Sequence, residues 1–176
     1  MINYLIKAAL LEKSVYAIFK KSPEMVLYSL VTVSLAGLSL AAALKYTTDN
    51  TGTESYLMIM VAFSTILVGW MMWSFVAKVI CQVLGSESEF RDMMRSTGIA
   101  YSPGILSIFI SVGKVNSTIG LFIVLVVWVW ILLSVTRSIQ ATQEISFAKS
   151  LIPGVIGWFM AWIVFIPLML GQYWPA

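Results

Sequence analysis

The feature that most constrains this chain is a series of five long runs without a charged residue. They lie at Met25–Leu44, Tyr56–Ala77, Thr97–Gly113, Ile119–Val135 and Leu151–Gly171. A helix of about 20 apolar residues crosses the hydrocarbon core of a bilayer. Of the 176 residues, 60% are apolar and 11% are charged, and a soluble domain of this size could not bury so much apolar surface. The sequence therefore predicts an all-α polytopic integral membrane protein with a bundle of five transmembrane helices.

The rest of the chain is divided into short polar connections, and none of them is long enough for a separate soluble domain. The sequence predicts two parts: a segment over residues 1–24 and a transmembrane domain over residues 25–176.

Basic residues are distributed unequally between the two sides of this predicted bundle. Nine of the eleven Lys and Arg residues fall in the N-terminal segment and in the second and fourth connections, whereas Lys45 and Lys114 fall on the other side. Because basic residues are retained on the cytoplasmic side, we expect a cytoplasmic N-terminus and an exterior C-terminus. This bias also accounts for the basic isoelectric point, so we expect no nucleic-acid partner.

The N-terminal segment has the pattern of a membrane-surface helix. Its apolar residues recur at helical spacing, and Tyr16 and Phe19 continue the same face. The lysines that we expect near anionic headgroups are Lys7, Lys13, Lys20 and Lys21. The pattern predicts an amphipathic helix in the membrane interface, and a short helix packed beneath the bundle remains the alternative.

The predicted spans contain few groups that could do chemistry. None contains Asp or Glu, the chain has no histidine, and Cys81 is its one cysteine. Pumps, ion-coupled carriers and voltage sensors place charges at membrane depth, so we expect none of these, no metal site and no enzyme. The charged stretch with Glu87, Asp92, Arg91 and Arg95 is predicted to be a solvated, charge-balanced loop.

Small residues form a stripe along the third predicted span. They follow one another at spacings of four, four, three and four, and are Ser96, Ala100, Gly104, Ser107 and Ser111. Small faces let membrane helices approach closely. Shorter pairs of the same kind are Gly37 with Ala41 and Gly157 with Ala161. The stripe and the pairs predict helix packing, either inside this bundle or against a partner.

Two prolines lie inside predicted spans. Pro103 follows Gly98 by five residues in the third span, and Pro167 lies near the end of the fifth. A proline inside a helix removes a hydrogen bond and displaces a carbonyl, so we expect kinks that either shape the bundle or act as hinges.

Three tryptophans, Trp128, Trp130 and Trp162, lie too deep for an interfacial belt. Buried indole N–H groups need acceptors. Helix packing or lipid contact explains them, and a bound pigment, quinone or lipid tail is the alternative. We expect no cofactor, with a bound lipid as an option.

The second half of the chain resembles a known family. Leu84-Gly85 precedes a short charged loop with Phe90-Arg91, and Gly98-Ile99-Ala100-Tyr101-Ser102-Pro103 opens the third span. A hydrophobic span with Trp128 and then Ser146-Phe147-Ala148-Lys149 follow. This order resembles the Yip1 family of integral membrane proteins in its short prokaryotic form. The chain departs from the family pattern at Ile99, where a tyrosine is usual, and at Ser86, where a second glycine is usual.

The resemblance implies a non-enzymatic protein of a membrane, here a prokaryotic plasma (inner) membrane. Eukaryotic relatives are linked to vesicle traffic and to Rab-type GTPases, but their long N-terminal region has no counterpart here, so we do not expect that partner. The leading hypothesis is a scaffold or accessory subunit that binds lipids, other membrane proteins or further copies of itself through its helix faces. The alternative is a small-solute transporter or channel, with a path along hydroxyls such as Ser29, Thr32 and Ser102.

Overall fold

The fold is described here from a computed structural model, which defines residues 1–48, 53–86 and 89–171. Of residues 48, 53–55, 58 and 164–171 only the backbone is described. The described part of the chain is helical and has no strand. Its elements are α1 (Ile2–Ala9), α2 (Lys13–Lys21), α3 (Met25–Thr48), α4 (Thr53–Val83), α5 (Phe90–Ile99), a 3₁₀ segment (Ser102–Lys114), α6 (Ser117–Gln143) and α7 (Phe147–Gly171).

Three stretches are long and apolar enough to cross a membrane: Met25–Thr47, Ile59–Val83 and Ser117–Gln143. The pair formed by α5 and the 3₁₀ segment makes a fourth if it counts as one broken span. The fifth predicted span coincides with α7, whose described apolar part, Phe147–Ile163, is shorter than a full span. The structure thus has three or four candidate spans, and the number five stays a prediction.

The helices extend past the predicted spans at one end of the bundle. There α4 continues to Val83, α6 continues to Gln143 and α5 begins at Phe90. The backbone hydrogen bonds of a helix form inside or outside the lipid. Long basic side chains can also reach water from the end of a helix, so a charged residue does not have to end the helix. We call this region, where α2, α5 and the C-terminal turns of α4 and α6 meet, the polar end.

The N-terminal segment contains two helices rather than one continuous face. Leu11 adopts φ 63°, a left-handed conformation that is unfavourable for leucine and that turns the chain between α1 and α2. As a result α1 exposes Ile2, Ile6 and Leu10, whereas Tyr16 and Phe19 of α2 are fully buried. The predicted single face through Tyr16 and Phe19 is therefore wrong.

The buried side chain of Tyr16 stabilises this turn. Its hydroxyl donates a hydrogen bond of 2.7 Å to the carbonyl oxygen of Ala8. Burial raises the pKa of Tyr16 well above its ordinary value, so the hydroxyl keeps the proton that it donates.

The third predicted span is broken. Helix α5 ends at Ile99, the 3₁₀ segment begins at Ser102, and the two axes differ by 41°. Pro103 lies in the first turn of the 3₁₀ segment, where its missing N–H breaks no helical hydrogen bond. Gly104 resumes the hydrogen bonding with a 2.8 Å bond from its N–H to the carbonyl oxygen of Tyr101.

Burial along the 3₁₀ segment repeats every third residue. Gly104, Ser107 and Ile110 are buried, as the three-residue turn of a 3₁₀ helix requires. The sequence stripe assumes an α-helix and places Ser111 next on the inner face. In the structure Ile110 is buried at the next inward position, and Ser111 is partly exposed and donates to the carbonyl oxygen of Ile108.

The inner face of this broken helix packs closely on α3. A Cβ atom built on Gly98 would lie 2.5 Å from Ser29 Cβ, and one built on Gly104 would lie 2.9 Å from Ala36 Cβ. Real carbon atoms do not approach so closely, so the contact requires glycine at both positions.

The two small-residue pairs also lie at helix contacts within the chain. Gly37 faces Phe63 of α4, and Gly157 of α7 contacts the ring of Trp73. Ala41 and Ala161 are buried. Both pairs therefore contribute to helix packing inside this bundle.

Candidate functional site

Arg95 of α5 is the centre of the polar end. Only 8% of the residue is exposed. Its Nη2 donates a 2.8 Å hydrogen bond to the carbonyl oxygen of Lys20, the penultimate residue of α2, and forms an ion pair with Asp92. The carbonyl oxygen of Arg95 accepts a bond of 2.5 Å from Ser29 Oγ on α3. One residue thus joins α2, α3 and α5.

This arrangement corrects the prediction of a solvated, charge-balanced loop. The stretch folds as helix α5 from Phe90 onward, and Arg95 is buried while Arg91 is exposed. Glu87 lies outside the described residues. The sequence does carry a signal for this, because Asp92 precedes Arg95 by one helical turn and Arg95 directly precedes Ser96, the first small residue of the stripe.

Hydroxyl groups continue this network into α4 and α6. Thr97 Oγ1 accepts from the indole Nε1 of Trp70 at 3.2 Å and lies 2.7 Å from Ser74 Oγ. On the other side of α5, Thr142 Oγ1 donates to Ser96 Oγ at 2.7 Å. These bonds tie α4, α5 and α6 together.

A cavity of about 380 Å³ opens between α3, α4 and α5. Its apolar lining comes from Pro23, Val26, Trp70 and Met94, and its polar lining from Ser29, Arg91 and Arg95. Among the residues that the structure describes, two arginines and no acidic residue line it. Guanidinium binds phosphate or carboxylate oxygens in a fixed fork geometry, so the cavity suits a ligand with an anionic head and an apolar body.

A second, more polar cavity of about 790 Å³ lies on the other side of Arg95. It contains both signs of charge, including Lys20, Glu89 and Glu144, and Lys20 Nζ lies 3.4 Å from Glu144 Oε1. The other predicted membrane-surface lysines are more exposed: Lys13 and Lys21 point to the surface, and Lys7 pairs with Glu12 at 3.5 Å.

The structure supplies the acceptor that a deep tryptophan needs. Trp130 Nε1 of α6 donates a 2.8 Å hydrogen bond to the carbonyl oxygen of Ala9, at the end of α1. The sequence indicates that such an acceptor is required, but Ala9 is 121 residues away and nothing in the pattern identifies it. Trp128 and Trp162 lie together, with ring centres 5.0 Å apart.

Trp130→Phe tests this attachment of α1. The change removes the indole donor and keeps an aromatic ring. We therefore expect the free energy of unfolding to fall by about 1 kcal/mol and backbone hydrogen exchange in α1 to become faster. Trp158→Phe is the matched control, because the Trp158 indole N–H is buried without an acceptor among the described residues. Equal exchange of α1 in the two variants would contradict the role assigned to Trp130.

The predicted site residues divide into those inside the bundle and those at its margin. Ser96, Ala100, Gly104 and Ser107 are buried within the chain, and Gly98 lies against Ser29. Pro167 lies on α7 where only the backbone is described, so its predicted kink falls outside the described side chains. Among the described residues no three His, Cys, Asp or Glu side chains form a group that could hold a metal ion.

Comparison with known proteins identifies the family of this chain. The model of the Yip1 domain matches residues 13–170, from the first residue of α2 into the last turns of α7, and leaves α1 outside the match. The comparison with curated proteins and the comparison with solved structures each give no match. Because the family model covers most of the chain and the described helices include three or four candidate spans, this chain is an integral membrane protein that belongs to the Yip1 family.

Proposed function

We propose that this protein is a non-enzymatic membrane scaffold or accessory subunit that binds lipids and other membrane proteins, or further copies of itself, through its outer surface. Its bundle has five spans, with the N-terminus in the cytoplasm and the C-terminus outside. This orientation rests on the position of nine of the eleven basic residues at the polar end and in the N-terminal segment.

The observation that carries the proposal is the use of the buried polar side chains. Arg95, Ser29, Thr97 and Thr142 each bond to another helix of the chain. These bonds between helices hold the fold, as in a structural network, and they do not place an acid and a base around a reacting atom. The proposed activity is therefore the binding of lipids and other proteins at the outer surface of the bundle.

Helix α1 offers one such outer surface. It is held to α6 by the bond from Trp130 to Ala9, and it turns Ile2, Ile6 and Leu10 outward, with exposed fractions of 74%, 54% and 65%. Exposed apolar side chains beside lysines are typical of a helix that lies in one leaflet at the headgroup boundary. This supports the membrane-interface prediction for α1, while α2 packs against the bundle.

Purification in a mild detergent tests the scaffold role. We expect particles that contain either a second protein chain or two or more copies of this one, since a scaffold must retain what it holds. Native mass spectrometry of the particle gives its composition. A bare monomer in every mild detergent, together with solute flux through the purified protein in proteoliposomes, would instead support the transporter alternative.

A further inference from the structure

We propose that the cavity between α3, α4 and α5 binds the phosphate of an anionic phospholipid, with Arg91 and Arg95 as its ligands. The inference deepens the lipid-binding part of the proposed function and rests on it. It assigns phosphate binding to the cavity, whereas the exposed helix faces do not indicate where a lipid headgroup would bind.

The first argument is an unsatisfied donor. Arg95 lines the cavity, and its Nε is buried without a hydrogen-bond partner among the described residues. Nη2 is already bonded to the carbonyl oxygen of Lys20 and paired with Asp92, so the guanidinium is held in one orientation and cannot turn to satisfy Nε elsewhere. A buried donor without an acceptor is costly, and a ligand oxygen that displaced the side chains covering Nε would remove that cost.

The second argument is charge. The cavity lining contains Arg91 and Arg95, one helical turn apart on α5, and no carboxylate among the described residues. Arg91 is exposed at the cavity mouth, so it can approach a phosphate without any change in the core. Two guanidinium groups and no carboxylate among the described lining residues disfavour a cationic choline or ethanolamine group, which favours a headgroup with net negative charge.

The third argument is position. The cavity lies where α3 begins, at the polar end, which is the depth of lipid phosphates for a helix that spans the bilayer. Its walls include Val26 and Met94, and one turn further along α3 the side chain of Leu30 is 43% exposed. Acyl chains that leave the cavity therefore find an apolar surface along the span. A free phosphate ion would leave these apolar walls without a partner.

The test is lipid binding to the intact, delipidated protein, measured by native mass spectrometry. The probes are phosphatidylglycerol and phosphatidylcholine with identical acyl chains. We expect the protein to retain phosphatidylglycerol preferentially, and Arg91→Gln to weaken that binding roughly fivefold. Lys149→Gln is the matched control, since Lys149 is an exposed cation at the start of α7 that does not line the cavity, and it should bind like the original protein.

A second variant separates shape from charge. Val26→Trp fills the cavity mouth at a half-exposed position and leaves the net charge unchanged, so it should weaken phosphatidylglycerol binding as Arg91→Gln does. Equal binding to Arg91→Gln and Lys149→Gln would overturn the proposal, as would displacement of the lipid by millimolar inorganic phosphate, which would assign the site to a free anion. If the lipid site fails while partner chains still co-purify, the scaffold role stands without it.

Discussion

Replacing Arg95 with methionine should destabilise the protein by about 3 kcal/mol, the largest effect that we expect from a single substitution. The carbonyl oxygen of Lys20 loses its donor, and the Asp92 side chain, which is 21% exposed, loses its cation in a partly buried site. Methionine keeps much of the side-chain volume, so the loss reports the polar contacts rather than a cavity.

The loss of stability should appear first at α2, because Arg95 donates a hydrogen bond to the carbonyl oxygen of Lys20 near the C-terminal end of that helix. Trypsin should cut after Lys20 and Lys21 faster in Arg95→Met than in the original protein, in the same detergent. Lys149→Gln, an exposed residue at the start of α7, is the control and should leave the cleavage rate unchanged. Unaltered cleavage in both variants would show that Arg95 does not hold α2.

A single added methyl group at Gly98 should destabilise the protein by about 2 kcal/mol, even though alanine favours helix formation. The new Cβ would lie 2.5 Å from Ser29 Cβ and 3.2 Å from Ser29 Cα, so the backbone of α3 must move. Such movement would also disturb the hydrogen bond from Ser29 to the carbonyl oxygen of Arg95. We expect the melting temperature in detergent to fall by about 5 °C.

Gly69→Ala is the matched control for this substitution. A Cβ at Gly69 would meet nothing nearer than Ala161 Cβ at 3.8 Å, which is ordinary van der Waals contact. The two variants make the same chemical change within helices of one bundle, so only the space differs. A melting temperature for Gly98→Ala equal to that of Gly69→Ala would refute the close approach of α3 and α5.

The parts of the fold that follow from composition could be predicted from the sequence. Runs without charge mark α3, α4 and α6 because the apolar zone tolerates little else, and the Leu84-Gly85 and Gly98–Pro103 motifs identify the Yip1 family. Residues that break a helix are also readable locally, as the break before Pro103 shows. These features depend on neighbours in the chain.

The candidate site could not be predicted in this way, because it depends on contacts between distant segments. Arg95 lies in a charged stretch that is typical of a solvated loop, and its hydrogen-bond partner Lys20 is 75 residues away in the chain. The turn at Leu11 could not be predicted either, because leucine seldom adopts a positive φ angle and nothing in the sequence marks this position as a turn. The cavity needs residues from α3, α4 and α5 together.

The 3₁₀ winding of Ser102–Lys114 also sets how far this part of the chain reaches. A 3₁₀ helix rises about 2.0 Å per residue and an α-helix about 1.5 Å, so the 13 residues cover roughly 26 Å instead of roughly 20 Å. Its length is therefore close to that of a hydrocarbon core about 30 Å thick, although it contains few residues. Rewinding it as an α-helix would shorten it by about 6 Å. A change of helix type here would shorten the broken helix without tilting its neighbours, which is one way to match a thinner bilayer.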